Sequence, residues 1–126
     1  MPLSRAGDGW RVMTFVYLQV IAAIKVLSMG VRVIPSDASL LRSLGQLLAE
    51  ASGGGREKAM AIKAAEMHRR AVRQSPLDAA AHHSLGNALT DLGQSSQAKH
   101  HQARAVSLRP DFAPALNNLA NALRES

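Results

Sequence analysis

Residues 79–112 read AAAHHSLGNALTDLGQSSQAKHHQARAVSLRPDF, and the rest of the chain is read outward from them. Leu85, Gly86 and Leu89 recur at helical spacing, so they form one stripe of a first helix. A turn follows, between helices expected at 79–92 and 96–109. Ala98 and Ala105 are seven residues apart, about two turns, and put small side chains on one stripe of a second helix. Pro110 has no backbone N–H and biases Arg109 away from the α region, so the second helix stops before it. Glycine and alanine on the facing stripes let two helices approach closely; a larger side chain at Gly86 would push them apart.

The unit recurs in both directions. Ser84-Leu85-Gly86-Asn87-Ala88-Leu89 aligns with Ser43-Leu44-Gly45-Gln46-Leu47-Leu48 at an offset of 41, and with Asn118-Leu119-Ala120-Asn121-Ala122-Leu123 at an offset of 34. Arg70-Ala71-Val72 before Pro76 repeats as Arg104-Ala105-Val106 before Pro110, again at 34. Gly30-Val31 before Pro35 stands 41 residues ahead of the corresponding residues before Pro76. The 41-residue unit holds seven extra residues, placed near Ser52-Gly53-Gly54-Gly55, where they lengthen the second helix at roughly 57–74 by about two turns.

A 34-residue helix–turn–helix unit with these residues resembles the tetratricopeptide (TPR) repeat. Leu85-Gly86, Ala98, Ala105 and Pro110 match the family's positions; Leu89 stands where an aromatic is usual, and His82 and Gln102 where large apolar residues are usual. The resemblance implies an all-α antiparallel helix–turn–helix solenoid. Its repeats are expected at 38–76 and 79–110, with a half repeat at 113–125, within a repeat region of 35–126. Leu116, Leu119, Ala120 and Leu123 form the stripe of that last helix; Asn117, Asn118, Asn121 and Arg124 face elsewhere. The last helix is either a polar-faced cap or the start of a further unit.

Composition agrees with a helical domain. The chain has 126 residues, 47% hydrophobic and only 3% aromatic, which disfavours a β-sandwich or barrel. It has no cysteine, which excludes disulfides and thiol chemistry. Its net charge of +6 leans toward acidic partners, nucleic acid or an anionic membrane, and says nothing about fold.

Residues 1–34 form an apolar N-terminal segment, broken by Gln19, Lys25 and Arg32. Three readings stay open. Ala23, Leu27 and Gly30 keep the repeat register before Pro35, which makes the segment a solenoid helix. A membrane span through 12–34 is the second, although the uninterrupted run from Val12 to Ile24 is short of the roughly 20 residues required. A signal peptide is the third, but no Ala-x-Ala site follows. The solenoid reading suits a cytoplasmic protein. There is also a narrower resemblance: Ser4-Arg5-Ala6-Gly7-Asp8-Gly9-Trp10-Arg11 resembles the short lumenal stretch before the repeats, and residues 28–38 the first repeat boundary, in transmembrane-and-TPR O-mannosyltransferases of the endoplasmic reticulum; the match departs between Trp10 and Leu27, where this chain has extra, very apolar residues. That family's catalytic acids lie in a multi-span part that nothing here matches.

No catalytic motif stands out, no cofactor is expected, and the protein is read as a non-enzyme. His68, His82, His83, His100 and His101 include two adjacent pairs. Neighbours on a helix point about 100° apart, so neither pair is a chelate, and the five are expected not to converge on a metal. Ser52-Gly53-Gly54-Gly55-Arg56 before a helix start resembles a general anion site, but the turn explains its glycines. Arg56, Lys58, Lys63, Arg69, Arg70 and Arg73 make the outer wall basic. Without interleaved aromatics, a nucleic-acid partner is not expected there.

The inner wall carries the functional reading. Residues one and five places after the leading stripe residue are Arg42 and Gln46, His83 and Asn87, Asn117 and Asn121. An amide recurs in each unit, and amides can pair with an extended backbone without reading its sequence. In the TPR family the concave surface is the usual ligand site and asparagine ladders hold peptide backbones. These six residues are therefore the expected peptide-binding set of a protein–protein interaction module, with an acidic segment or C-terminal carboxylate as partner. The alternative is an accessory fragment of a membrane-bound O-glycosyltransferase.

Overall fold

The computed structural model describes residues 2–125, with Met1 and Ser126 outside the described residues. Among the described residues six helices follow one another: α1 Pro2–Val33, α2 Ala38–Ala51, α3 Lys58–Gln74, α4 Ala79–Asp91, α5 Ser95–Leu108 and α6 Ala113–Glu125. No strand occurs among the described residues. Consecutive helices pack on each other, and α2 also touches α4, so the pairs stack into a solenoid.

The pairs α2/α3 and α4/α5 hold the core. Leu41, Leu44 and Leu48 of α2 pack on Ala64, Met67 and Ala71 of α3 and on Val31 of α1. Leu85 and Leu89 of α4 pack on Ala98 of α5. Leu41 and Leu89 are fully buried, each worth about 1.5–3 kcal/mol relative to exposure. The small residues of the second helices let the leucines of the first helices reach that depth.

Two helix starts are capped alike. The carboxylate of Asp37 accepts from the Leu40 amide at 3.2 Å, and that of Asp78 from the Ala80 amide at 3.0 Å. Both aspartates follow a proline by two residues, so the proline that ends one helix is followed at once by the cap of the next.

The seven extra residues are not two added turns of helix. α3 has 17 residues against 14 in α5, α2 has 14 against 13 in α4, and the loop 52–57 has six against three in 92–94. The insertion is thus shared between helix and loop. The loop closes on itself: the buried Ser52 hydroxyl donates to the Ala49 carbonyl at 2.6 Å and accepts from the Gly55 amide at 3.3 Å, while Arg56 Nε donates to the Gly53 carbonyl at 3.0 Å. Gly53, Gly54 and Gly55 all have positive φ. The glycines are there for the turn.

α1 joins the solenoid by its C-terminal part. Ile24 and Leu27 pack against the α2 cluster, and a Cβ at Gly30 would lie 3.3 Å from Leu40. From Gly9 to Val33 the helix is also long and apolar enough to cross a membrane, and nothing in its most apolar window is buried.

Candidate functional site

The concave side of α4, α5 and α6 holds a groove of 540 Å³. It is lined by Asn87 and Thr90 of α4, Lys99 and Gln102 of α5, and Asn118 and Asn121 of α6. A smaller cleft of 270 Å³ lies between α2 and α4, lined by Gln46, His68, His83 and Asn87. Asn87 belongs to both, so the two are neighbouring stretches of one wall.

Asn87 is also the centre of a side-chain network. Its Oδ1 accepts from Asn118 Nδ2 at 2.6 Å and from Gln102 Nε2 at 3.3 Å. Its Nδ2 lies 3.2 Å from His83 Nε2. His83 Nδ1 lies 2.9 Å from Gln102 Oε1, which can only accept, so Nδ1 carries the proton and Nε2 accepts from Asn87. Gln102 Nε2 also reaches the His83 carbonyl at 3.3 Å. Gln102 is 2% exposed, and these partners make its burial tolerable in a position where an apolar residue is usual. Phe112 closes the end of the network, edge-on to His83 with centroids 5.4 Å apart and with Arg109 over its ring at 4.9 Å.

The six expected site residues fall in different places. Gln46, Asn87 and Asn121 lie along the wall, and His83 lies beside Asn87. Arg42 is tied to the α4 cap: its Nη1 lies 3.2 Å from Asp78 Oδ2, an ion pair joining α2 to α4. Asn117 is exposed and does not line the groove, whereas Asn118 does. Sequence reasoning missed Asn118 and Gln102. The available signal was their register, since Asn118 stands where Ser84 and Ser43 stand, on the side of the first helix that meets the preceding unit. Asn121 Oδ1 accepts from Arg124.

Three of the five histidines, His82, His100 and His101, come together, a contact the sequence reading did not expect, while His68 and His83 lie elsewhere. His82 and His101 stack with centroids 5.4 Å apart, and their Nδ1 atoms are 3.1 Å apart. His100 packs edge-on to His101 at 5.4 Å. Their sequence positions are partners across the α4/α5 pair, a relation that the angle between adjacent residues does not reveal. His82 Nε2 lies 2.8 Å from the Pro76 carbonyl, so it carries the proton. His82 Nδ1 then accepts, and His101 Nδ1 donates. Burial, with His82, His100 and Arg69 nearby, lowers His101 to about 4. No group of three metal-ligating side chains occurs among the described residues. His68 is 3% exposed, and its Nδ1 has no hydrogen-bond partner. Burial and Arg42 lower it to about 4 against a smaller opposing effect of the Gly45 backbone. Burial raises the Asp91 carboxyl.

On the outer wall, Arg70 Nη2 reaches the Pro35 carbonyl at 3.4 Å and thereby spans α3 and the α1–α2 turn. Part of the basic stripe is therefore structural.

No family model matches the chain, and no curated protein matches it. Solved structures do. A mutant of the Thermobaculum terrenum O-GlcNAc transferase is 32% identical over 85% of this chain, with a TM-score of 0.71; the chain spans 19% of that protein's length. The first TPR domain of Spaghetti (RPAP3), bound to an HSP90 peptide SRMEEVD, is 19% identical over 98% of this chain and 89% of its own, with a TM-score of 0.73. The Sgt2 TPR domain from Aspergillus fumigatus is 19% identical over 99% of this chain and 80% of its own, also at 0.73. The narrower likeness to O-mannosyltransferases is weak beside these. By helix order, repeat register and these likenesses, the chain is an all-α tetratricopeptide-repeat solenoid.

Proposed function

We propose that the chain is a non-catalytic interaction module that binds an extended peptide along its concave wall, with Gln46, Asn87 and Asn121 as the amide row. The observation that carries this is the place of Asn87, which lines both clefts and so makes the row continuous. Asn118 joins it: one amide hydrogen goes to Asn87, and Oδ1 with the second hydrogen is directed to a ligand. Asn87 itself spends both lone pairs of Oδ1 inside the protein, so it positions Asn118 and offers one N–H. His83 acts with Asn87. Arg42 and Asn117 belong to the edge of the row, the former only if its ion pair with Asp78 opens. The +6 net charge of the chain favours an acidic segment. The RPAP3 domain, of the same fold, holds a peptide with two glutamates and an aspartate.

Each amide bond contributes about 0.5–1.5 kcal/mol net. Two units make a short wall, so affinity should be about micromolar at best. The test is a peptide selected by display on the immobilised chain, then titrated calorimetrically. Gln46→Ala and Asn121→Ala should each weaken binding several-fold, and Arg69→Ala/Arg70→Ala should do little at physiological salt. The opposite ranking would place the ligand on the outer wall and end the groove reading.

A second reading has one observation in its favour. The 32% identity to a stretch of an O-GlcNAc transferase suits an accessory repeat segment of a glycosyltransferase. An immunoblot of native extract separates the two, since a segment of a transferase would run far above 13.4 kDa.

A further inference from the structure

His82 of α4 and His101 of α5 line neither cleft of the concave wall. Their Nδ1 atoms face each other at 3.1 Å across the helix pair, with ring planes 24° apart. Two imidazole nitrogens that bind one ion at about 2.0–2.1 Å, at angles from about 90° to 109°, stand about 2.8–3.4 Å apart. The observed separation lies inside that range, so an ion needs no more than a small turn of either ring.

The other nitrogen of His82 is already fixed. Nε2 donates to the Pro76 carbonyl at 2.8 Å, which leaves Nδ1 with a lone pair. A metal-ligating histidine is commonly held in this way, by a carbonyl or carboxylate on its second nitrogen. Pro76 follows the end of α3, and His82 is 6% exposed, so the ring is oriented by the repeat itself. His101 is half-buried. Its Nδ1 proton can pass through solvent to Nε2, which keeps the ring neutral and frees a second lone pair beside the first. Arg69 of α3 is near enough to act on His101 and opposes a cation there, which keeps the affinity modest.

We propose that His82 Nδ1 and His101 Nδ1 bind one divalent late first-row transition ion in place of the proton they share, with solvent completing its coordination. Imidazole suits Cu2+, Zn2+ and Ni2+, and Cu2+ forms the most stable complexes with a given set of nitrogens. One ligand comes from α4 and the other from α5. The ion therefore ties the two helices of one repeat together, and it stabilises the fold because the unfolded chain does not hold the pair in place.

The test uses the full chain stripped of metal, with Cu2+ as the probe and glycine as a competing chelator that keeps weak surface sites empty. Electron paramagnetic resonance at one equivalent should show nitrogen hyperfine structure from two imidazoles, and the ion should raise the wild-type melting temperature. His82→Phe and His101→Phe should each weaken binding about tenfold or more and abolish the rise in melting temperature, with circular dichroism unchanged. His100→Ala should keep both. If His82→Phe fails to fold, His101→Phe, at a half-buried position, carries the comparison. Binding that survives in His101→Phe overturns the proposal. A loss in His100→Ala as large as that in His101→Phe also overturns it, by making the adjacent pair on α5 the ligand. So does a wild type that binds Cu2+ no more tightly than His101→Phe.

Discussion

A Cβ added at Gly86 would lie 2.5 Å from Nε2 of Gln102, and the same contact recurs one unit earlier, where a Cβ at Gly45 would lie 2.8 Å from the ring of His68. Gly86 and Gly45 therefore seat the buried side chain of the facing helix. Gly86→Ala gains up to about 1 kcal/mol of helix propensity but pushes Gln102 out of its hydrogen bonds. Gly86→Leu has no such escape and should lose about 1–3 kcal/mol by overpacking. Urea denaturation of both variants checks this. In Gln102→Ala, where the opposing side chain is gone, Gly86→Ala should become neutral or stabilising.

Asp78 has two roles that can be separated. It caps α4 and pairs with Arg42. Asp78→Asn keeps a capping oxygen and loses the charge, so it should cost no more than about 1 kcal/mol, as exposed ion pairs do. Asp78→Ala loses the cap as well and should cost about 1–2 kcal/mol. Arg42→Ala should resemble Asp78→Asn. Thermal melts of the three variants would show the order, and a damaging Asp78→Asn would mean that the ion pair outweighs the cap.

The helices, their stops and their buried stripes were legible because each depends on short-range chemistry: leucines at helical spacing, Gly-Ala facing stripes, and prolines. Asp37 and Asp78 could have been read as caps from their place just after a proline turn. The side-chain network was not legible. Gln102 looked like a defect in a core position, and only its three-dimensional neighbours His83 and Asn87 show how a polar group is satisfied there. The same holds for His82 and His101, which are 19 residues apart in sequence and meet through the pairing of two helices. Arg42 was legible as an inner-wall residue, but its ion pair with Asp78, 36 residues on, was not.

Acid should destabilise the fold above the pH at which carboxylates are lost. His68 falls from 6.5 to about 4 on folding, so between those values the unfolded state binds the proton and the folded state does not. Stability is fully present above pH 6.5 and is lost as pH falls toward 4; for His68 the shift is on the order of 3 kcal/mol. His101 moves in the same direction. Replacing His68 by Leu, an apolar residue in a position that is apolar in most such repeats, should flatten the pH dependence of urea midpoints between pH 4 and 6.5. His101→Phe should flatten it further. A wild-type midpoint constant across that range would contradict the buried neutral state of both rings.

The loop 52–57 offers the sharpest contrast between strain and collision. Gly54 and Gly55 both have positive φ, at 71° and 96°. Around Gly54 nothing lies within 4 Å of an added Cβ, whereas at Gly55 it would come to 2.3 Å from the Asp91 carbonyl oxygen. Gly55 thus rests on the end of α4, and the oxygen it meets is backbone, which cannot rotate away. Gly54→Ala should cost about 1–2 kcal/mol for the left-handed backbone alone. Gly55→Ala should cost that and a further 1–3 kcal/mol or so from the collision. Asparagine separates the two causes, since it tolerates the left-handed region better than alanine does. Gly54→Asn should recover most of the loss, and Gly55→Asn should recover little. Chemical denaturation of the four variants measures this directly, and equal recovery at both positions would mean that the loop can lift off Asp91 without cost.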